Sequence, residues 1–175
     1  MSTFRFFAVA GLSLCSIAVI AQESPGLGEL VSSDELAALD YAVLPNGDGL
    51  PAGSGTAVEG STVYQQYCFA CHGDKGSGGI NDALSGGHGS MTSKSPVKTV
   101  GSFWPYATTV FDYVRRAMPL SSPGVLTNDQ LYAVTAYLLF INDVVDENDV
   151  IDAKSLPDVK MPNRDNFVWG YAPGT

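Results

Sequence analysis

Cys68-Phe69-Ala70-Cys71-His72 is the stretch of sequence that determines how the rest of this chain is interpreted. Two thiols three residues apart lie on one face of a helix, so both can bond to the two vinyl groups of one porphyrin. The histidine that follows can then offer its imidazole to the iron as the proximal ligand. The pentapeptide therefore predicts one covalently attached c-type haem, with Cys68 and Cys71 as attachment residues and His72 on the iron.

Other uses of paired cysteines explain the pentapeptide less well. A zinc site needs four ligands, and the sequence has no second cysteine pair to complete one. A thioredoxin-type redox pair belongs in a βαβ setting, which the neighbouring sequence does not have. A plain disulfide between Cys68 and Cys71 stays open as an alternative outside the cytosol.

The beginning of the chain has the layout of a secretory signal peptide. Arg5 precedes an apolar run over residues 6–20, and Ala21 ends a sequence suited to cleavage. A run of roughly 15 apolar residues is short for a membrane anchor, and the bulky residue before Cys15 disfavours a lipoprotein site. Because c-type haem is attached outside the cytoplasm in bacteria, we expect a signal peptide at 1–21 and a periplasmic mature protein.

Cleavage changes both the cysteine content and the charge. It removes Cys15, so the two cysteines of the haem motif are the only ones left. It also removes Arg5 and no acidic residue, which takes the formal net charge from −9 to −10. Such an acidic surface argues against nucleic-acid and anionic-lipid partners. The remaining sequence has no apolar run long enough to span a membrane.

The mature chain divides into three segments. Residues 22–57 form a leader with a short helix predicted at 33–41 and Ser33 as its N-cap. The second half of the leader is rich in proline and glycine, which predicts a linker or an ordered wrap. Residues 58–142 form the haem domain. Residues 143–175 form an acidic and then aromatic tail, whose aromatic side chains favour docking onto this domain or onto a partner.

Helical patterns account for the haem domain. The first helix is predicted at 61–68 and the second at 105–117, where Pro105 would occupy the first helical position. A third helix begins at Thr127, whose spacing to Gln130 predicts a capping box. No strand pattern lies between these helices. The predicted fold class is therefore all-α, with extended N- and C-terminal arms.

Three methionines and one histidine are candidates for the second axial ligand that a low-spin electron carrier needs: Met91, Met118, Met161 and His88. Thioether sulfur favours ferrous iron and so raises the reduction potential. Met118 is the first choice because its Met-Pro turn stands between two predicted helices. Met161 is the second choice because no helix follows its proline. His88 lies in a glycine-rich string and is expected to be exposed.

The haem motif, the turn at Met118 and the helix after it together resemble the small class I cytochromes c. The resemblance implies a small class I cytochrome c fold around one covalent haem, with Met118 as the distal ligand. In that class a proline carbonyl after the haem motif often accepts the second N–H of the proximal imidazole. Here the corresponding region, 79–82, contains no proline. Another backbone carbonyl or Asn81 is expected to replace it.

A second resemblance extends over most of the mature chain. It rests on GSFWPYATT (101–109), FDYVRRAMP (111–119), YAVTAY (132–137), MPNRD (161–165) and the leader around 49–55. These segments are similar to the cytochrome c subunits of bacterial sulfite and sulfur dehydrogenases. In that family a molybdenum-cofactor subunit oxidises a sulfur compound, and the cytochrome takes the electrons one at a time. The resemblance implies a non-catalytic subunit with a separate catalytic partner, because no molybdenum-binding domain fits in this length.

Trp104, Tyr106 and Arg115 are candidate contacts to the haem propionates. The two aromatic residues stand at the start of the second predicted helix, and Arg115 and Arg116 form a rare basic pair in an acidic protein. Such a pair can neutralise a propionate or lie at a docking edge. The alternative is a solvated helix C-terminus, where positive charge suits the helix dipole.

The sequence therefore predicts a periplasmic mono-haem electron carrier. Its partners would be the molybdenum subunit of a sulfite or sulfur dehydrogenase and a downstream electron acceptor. A free shuttle to a terminal oxidase is a close alternative. A haem enzyme or gas sensor is a more distant one, because it would need an open or displaceable sixth position on the iron.

Overall fold

The computed structural model describes residues 26–168. The predicted signal peptide, 1–21, and residues 169–175 therefore lie outside the described part of the chain. The chain divides into two compact units, Met1–Ala38 and Leu39–Thr175. None of the helices within the described part is long and apolar enough to cross a membrane.

Helix α1, Ser33–Leu39, is the short helix predicted in the leader, and it ends two residues before the predicted boundary. Its capping residue is Ser32, so the prediction of Ser33 was wrong by one position. The Ser32 hydroxyl accepts a hydrogen bond from the Glu35 backbone N–H at 3.3 Å, and the Glu35 carboxylate accepts one from the Ser32 N–H at 3.0 Å. This reciprocal pair is a capping box.

The second unit is mainly helical, as predicted. Its helices are joined by loops, 3-10 turns and two small antiparallel ladders, in which Ser54–Gly55 pairs with Ile151–Asp152 and Gly73–Asp74 with Ser77–Gly78. In chain order the elements are β1 (Ser54–Gly55), α2 (Ala57–Tyr67), α3 (Phe69–His72), β2 (Gly73–Asp74), β3 (Ser77–Gly78), α4 (Ala107–Ala117), α5 (Asn128–Phe140) and β4 (Ile151–Asp152), with 3-10 turns at Ser90–Thr92, Leu156–Asp158 and Arg164–Asn166.

Helix α2 begins four residues before the predicted start at residue 61. The reason is a capping box at the end of the leader. The Thr56 hydroxyl accepts from the Glu59 backbone N–H at 3.4 Å, and the Glu59 carboxylate accepts from the Thr56 N–H at 2.8 Å. The box satisfies two N–H groups that would otherwise lack partners, so the helix extends back to Ala57.

Helices α2 and α5 pack against each other around Gly60. A Cβ atom at Gly60 would lie 1.9 Å from the Ala133 carbonyl oxygen, so only glycine permits this approach. One turn further along α2, the buried Tyr64 ring lies 5.0 Å from the Tyr137 ring, centroid to centroid. This crossing forms the base on which the haem motif, directly after α2, is supported.

Helix α4 begins at Ala107, which corrects the prediction that Pro105 is its first residue. Tyr106 has extended backbone angles, φ −139° and ψ 134°, so helical geometry cannot include the residue before it. The Tyr106 ring lies under the Arg164 guanidinium, 4.8 Å from ring centroid to Cζ. Arg164 lies in the tail, three residues after Met161, so this contact belongs to tertiary packing and is not visible in the local sequence pattern.

Helix α5 begins where it was predicted. The Thr127 hydroxyl accepts from the Gln130 N–H at 3.3 Å, and the Gln130 side chain accepts from the Thr127 N–H at 2.9 Å. Inside the helix, the buried Tyr132 ring lies 4.6 Å from the Phe111 ring of α4, centroid to centroid. Helix α5 is therefore the central element, with α2 and α4 both packed on it.

The second half of the leader is an ordered wrap over α4 and α5. The buried Asp112 carboxylate accepts from the Val43 N–H at 3.1 Å. The Tyr132 hydroxyl donates to the Pro51 carbonyl at 2.7 Å. Burial raises the pKa of Tyr132 to about 12, so this hydroxyl stays protonated and donates across the physiological range. Of the two readings that the sequence allowed, the wrap is the observed one.

The described part of the tail packs on the haem domain. Leu156 and Met161 are buried in the hydrophobic core. The Asn163 side chain donates to the Phe103 carbonyl at 2.9 Å, and the Phe167 ring lies 5.5 Å from the Phe103 ring, centroid to centroid. The tail up to Phe167 is therefore part of the fold, and it returns to the loop that precedes α4.

Candidate haem site

The haem motif lies on a single helical turn. Helix α3 directly follows α2, with Cys68 as the junction residue. The backbone N–H groups of Cys71 and His72 both donate to the Cys68 carbonyl, at 3.1 and 3.0 Å. This turn gives the two thiols the spacing that one porphyrin requires. Both thiols are free, so they form no disulfide with each other.

The two thiols differ in their surroundings. Cys71 is exposed, whereas Cys68 is half-buried against the hydrophobic core. Burial, with a smaller contribution from nearby Cys71, raises the pKa of the Cys68 thiol to about 11. In the haem-free chain this thiol is therefore protonated at neutral pH. Thioether formation removes the ionisable group altogether.

The His72 imidazole is oriented by the loop that follows the motif. Its Nδ1 lies 2.9 Å from the Asp82 carbonyl oxygen, and because a carbonyl only accepts, Nδ1 must carry the proton. This leaves Nε2 as the nitrogen available to iron. The loop is held close to the motif, since the Asn81 N–H donates to the Cys71 carbonyl at 2.9 Å. A Cβ at Gly79 would lie 2.2 Å from that same carbonyl oxygen.

Asp82 is thus the partner that replaces the missing proline carbonyl. Of the two replacements expected from the sequence, a backbone carbonyl is the observed one, and the Asn81 side chain is not. Because Asp82 acts through its main-chain carbonyl, the identity of its side chain could not predict this contact.

Tyr64 is a second supporting residue that the sequence reasoning overlooked. Its hydroxyl donates to the Gly73 carbonyl at 2.9 Å, directly after His72. Burial raises the pKa of Tyr64 to about 12, so the hydroxyl remains a donor. Tyr64 lies four residues before Cys68, so the two residues share one face of a helix. This spacing was the feature of the sequence that could have indicated its role.

Met118 is the residue at which helix α4 ends. Its N–H donates to the Val114 carbonyl at 3.0 Å, and its backbone is extended, with φ −123° and ψ 146°. The chain therefore leaves the helix at this residue. The Met118 side chain is half-buried and packs against the same hydrophobic core as Cys68 and Trp104. Its role as distal ligand stays a prediction.

The other candidate axial ligands lie in different surroundings. Met161 is only 4% exposed and packs where the tail meets the core. Its burial gives it a structural role that does not depend on iron. Met91 is half-buried in a 3-10 turn of the glycine-rich loop, and His88 is exposed, as expected.

The candidate propionate contacts are not all on one side of α4. The Trp104 ring lies 5.6 Å from the ring of Tyr113, centroid to centroid. Arg115 is two residues later, a rotation of about 200°, so it leaves α4 on nearly the opposite side. There its guanidinium donates to the Tyr41 carbonyl at 3.2 Å and lies over the Tyr41 ring. The structure therefore separates Arg115 from Trp104 and gives it a partner in the leader.

Two neighbouring residues also have protein partners. Arg116 forms an ion pair with Asp112 one turn earlier on α4, and the Tyr106 ring is covered by Arg164. Trp104 is the candidate that lies half-buried against the core. Propionate contacts by Trp104, Tyr106 and Arg115 stay predictions.

The residues present fit a covalently bound haem. The candidate donors are two thiols on one turn, an imidazole whose Nδ1 is already used, and the half-buried thioether of Met118. Glycine allows the loop after the motif to lie within contact distance of it. When bound, haem would supply reversible one-electron chemistry, and the protein would orient the His72 imidazole through the Asp82 carbonyl.

Comparisons with known proteins show the family of the chain. The family model for cytochrome c matches residues 57–141. Among curated proteins no match was found. Among solved structures, a chain in the crystal structure of the sulfane dehydrogenase SoxCD from Paracoccus pantotrophus is 42% identical, with a TM-score of 0.77. The match covers 83% of this chain and 72% of that chain.

The sequence identity to the SoxCD chain and the coverage of both chains are high enough to establish the fold, the family and the cofactor. The predicted class I fold and the predicted covalent haem are confirmed, and so is the resemblance to subunits of sulfur dehydrogenases. The chain belongs to the cytochrome c family, as a class I c-type electron-transfer cytochrome with covalently bound haem c that is similar to a chain of SoxCD.

Proposed function

We propose that this cytochrome is the electron-accepting subunit or partner of a periplasmic, sulfur-oxidising molybdoenzyme, and that it passes the electrons to a downstream acceptor. The observation that carries the proposal is the 42% identity to a chain of sulfane dehydrogenase SoxCD over 83% of this chain. That share is larger than the segment 57–141 of the general cytochrome c match. The similarity therefore includes parts of the leader or tail, which a general electron carrier does not need.

The chemistry of such a partner fits a single-haem protein. Oxidation of sulfite consumes water and yields sulfate, two protons and two electrons. One haem accepts one electron, so each turnover of the partner requires two reductions of the cytochrome in succession. The oxidation itself would take place in the partner, and this chain would be non-catalytic. Its own residues orient the imidazole through the Asp82 carbonyl, and the leader and tail pack on the haem domain.

Partner-dependent reduction is the main test. We expect sulfite or a sulfane-sulfur compound to reduce the purified cytochrome rapidly only when the dehydrogenase is present. Stopped-flow absorbance of the haem would measure this, and affinity purification of either protein would reveal whether they form a stable complex. Rapid, saturable reduction by the sulfur compound alone would make the cytochrome an enzyme and contradict the proposal. Reduction with the dehydrogenase but no co-purification would favour a free shuttle.

Location and haem attachment have a separate test. We expect intact-mass spectrometry of the periplasmic fraction to give the mass of residues 22–175 plus one haem. The physical reason is that thioether bonds form only after export in this class, and only Cys68 and Cys71 then remain. A Cys68→Ala, Cys71→Ala double variant is the control and should lose the added mass. Haem that acid acetone extracts from the unchanged protein, or a mass that still includes residues 1–21, would be the contrary result.

A further inference from the structure

An open cavity of about 380 Å³ lies on the side of α4 that faces the leader. Its walls come from four parts of the chain: the last turn of α4, the loop after Met118, the start of α5 and Tyr41 of the leader. Arg115 and Arg116 both line it. We propose that this cavity, called here the arginine cavity, binds a small inorganic oxyanion of the sulfate class. The proposal does not depend on the partner proposed above.

The charge of the cavity is unusual for this protein. The chain has a formal net charge of −9, yet two guanidinium groups share one cavity wall. Asp112 pairs with Arg116 and neutralises one of the two charges. Arg115 bonds to a neutral carbonyl of Tyr41 and keeps its full charge. The cavity therefore carries one net positive charge from this group of three side chains.

No acidic residue is among those that line the cavity in the described chain. Asp129, in the first turn of α5, keeps its negative charge, but it does not line the cavity, and its carboxylate accepts from the Ser54 N–H at 2.9 Å. Asn128, the first residue of α5, does line the cavity. The positive end of the α5 dipole therefore adds to the favourable potential for an anion.

An oxyanion suits this arrangement better than an apolar ligand. A guanidinium presents several N–H donors in a planar fork, and Arg115 uses one nitrogen on Tyr41, which leaves further donors for a ligand. The Arg116 side chain is 46% exposed, so it can donate into the cavity while it remains paired with Asp112. Charge-assisted bonds of this kind are the strong ones.

A free oxyanion, rather than a haem propionate, is the anion proposed for this cavity. Arg115 and Trp104 contact opposite sides of α4, as the Tyr41 and Tyr113 contacts show. The leader, not the haem motif, closes the Arg115 side. The site is therefore separate from the haem surroundings, although it begins three residues before Met118.

A bound anion would contact two segments of the chain that flank Met118. Pro123, Gly124 and Leu126 line it from the loop that follows Met118. An anion bound to Arg115 would therefore contact both the end of α4, which precedes Met118, and this loop, which follows Met118. A ligand that binds only the folded protein stabilises it in proportion to its occupancy.

Isothermal titration of the holoprotein with sodium sulfate, against sodium chloride at equal ionic strength, tests the proposal. We expect sulfate to bind with one-to-one stoichiometry and chloride not to bind. Arg115→Gln should weaken sulfate binding about tenfold or more, because a charge-assisted hydrogen bond is lost. Lys154→Gln removes the same charge from an exposed residue outside the cavity and should change nothing.

Pro123→Asp is the second variant, because it adds a carboxylate to the wall at an exposed residue and leaves the Arg115 contact with Tyr41 intact. It should also weaken sulfate binding, with an unchanged haem spectrum. Equal effects of Arg115→Gln and Lys154→Gln, or equal responses to sulfate and chloride, would mean that the anions only screen surface charge. Either result would overturn the proposal. So would normal binding by Pro123→Asp, because Arg115→Gln would then have acted through the leader.

Discussion

Replacement of Met118 by alanine is expected to remove the thioether–iron absorption band and to lower the reduction potential by on the order of a tenth of a volt or more. Thioether sulfur stabilises ferrous iron, so its loss favours the ferric state. Met118 ends α4, and its half-buried side chain packs on the same core as Cys68. A spectroelectrochemical titration of the purified holoprotein measures both quantities.

Met161→Ala is the matched control for this experiment. Met161 is 4% exposed and anchors the tail, so its truncation should cost about 2–5 kcal/mol of unfolding free energy and leave the band in place. Met118→Ala should have the opposite profile, with a large spectral change and a smaller loss of stability, because it is only half-buried. The reverse pattern, a lost band in Met161→Ala and an intact one in Met118→Ala, would show that Met161 is the ligand.

The haem attachment site could be predicted from sequence because its chemistry is local. Two thioether bonds and one iron ligand must come from consecutive positions on one turn, so the spacing of Cys68, Cys71 and His72 is nearly the whole signal. The same holds for the capping box at Thr127, which is complete within four residues. Short-range patterns of this kind leave little to tertiary structure.

The features that were missed depend on contacts between distant parts of the chain. The His72 partner is a main-chain carbonyl, and any residue at position 82 would supply one. The start of α4 was placed too early because Tyr106, whose ring contacts Arg164 of the tail, has an extended backbone that the local sequence does not reveal. Both are tertiary effects that override a local preference.

Arg115 illustrates a different difficulty. A basic pair beside Met118 suggested a haem propionate, and the charge alone cannot tell which side of a helix a residue faces. The contact of Arg115 with Tyr41 and that of Trp104 with Tyr113 resolve the two sides. The spacing of residues along α4 predicts which of them share a face of the helix. It does not predict what each face contacts, which the Trp104 and Tyr41 contacts show.

Gly60→Ala is expected to destabilise the protein severely, by about 3 kcal/mol or more. In an ordinary helix interior the same substitution stabilises by about 1 kcal/mol, because alanine is the better helix former. Here the added Cβ would lie 1.9 Å from the Ala133 carbonyl oxygen and 2.8 Å from the Tyr137 Cβ. The nearest obstacle is helix backbone, which cannot rotate away, so α2 and α5 would have to separate.

Separation of α2 from α5 would also disturb the haem motif, because Tyr64 lies one turn after Gly60 and bonds to the Gly73 carbonyl. Urea unfolding of the holoprotein, followed by circular dichroism, measures the loss. Gln65→Ala on the exposed face of α2 is the control and should stay within about 0.5 kcal/mol. Ala133→Gly should fail to rescue Gly60→Ala, because the obstructing atom is a main-chain oxygen that every residue has. Stabilisation by Gly60→Ala would mean that the two helices do not meet at this glycine.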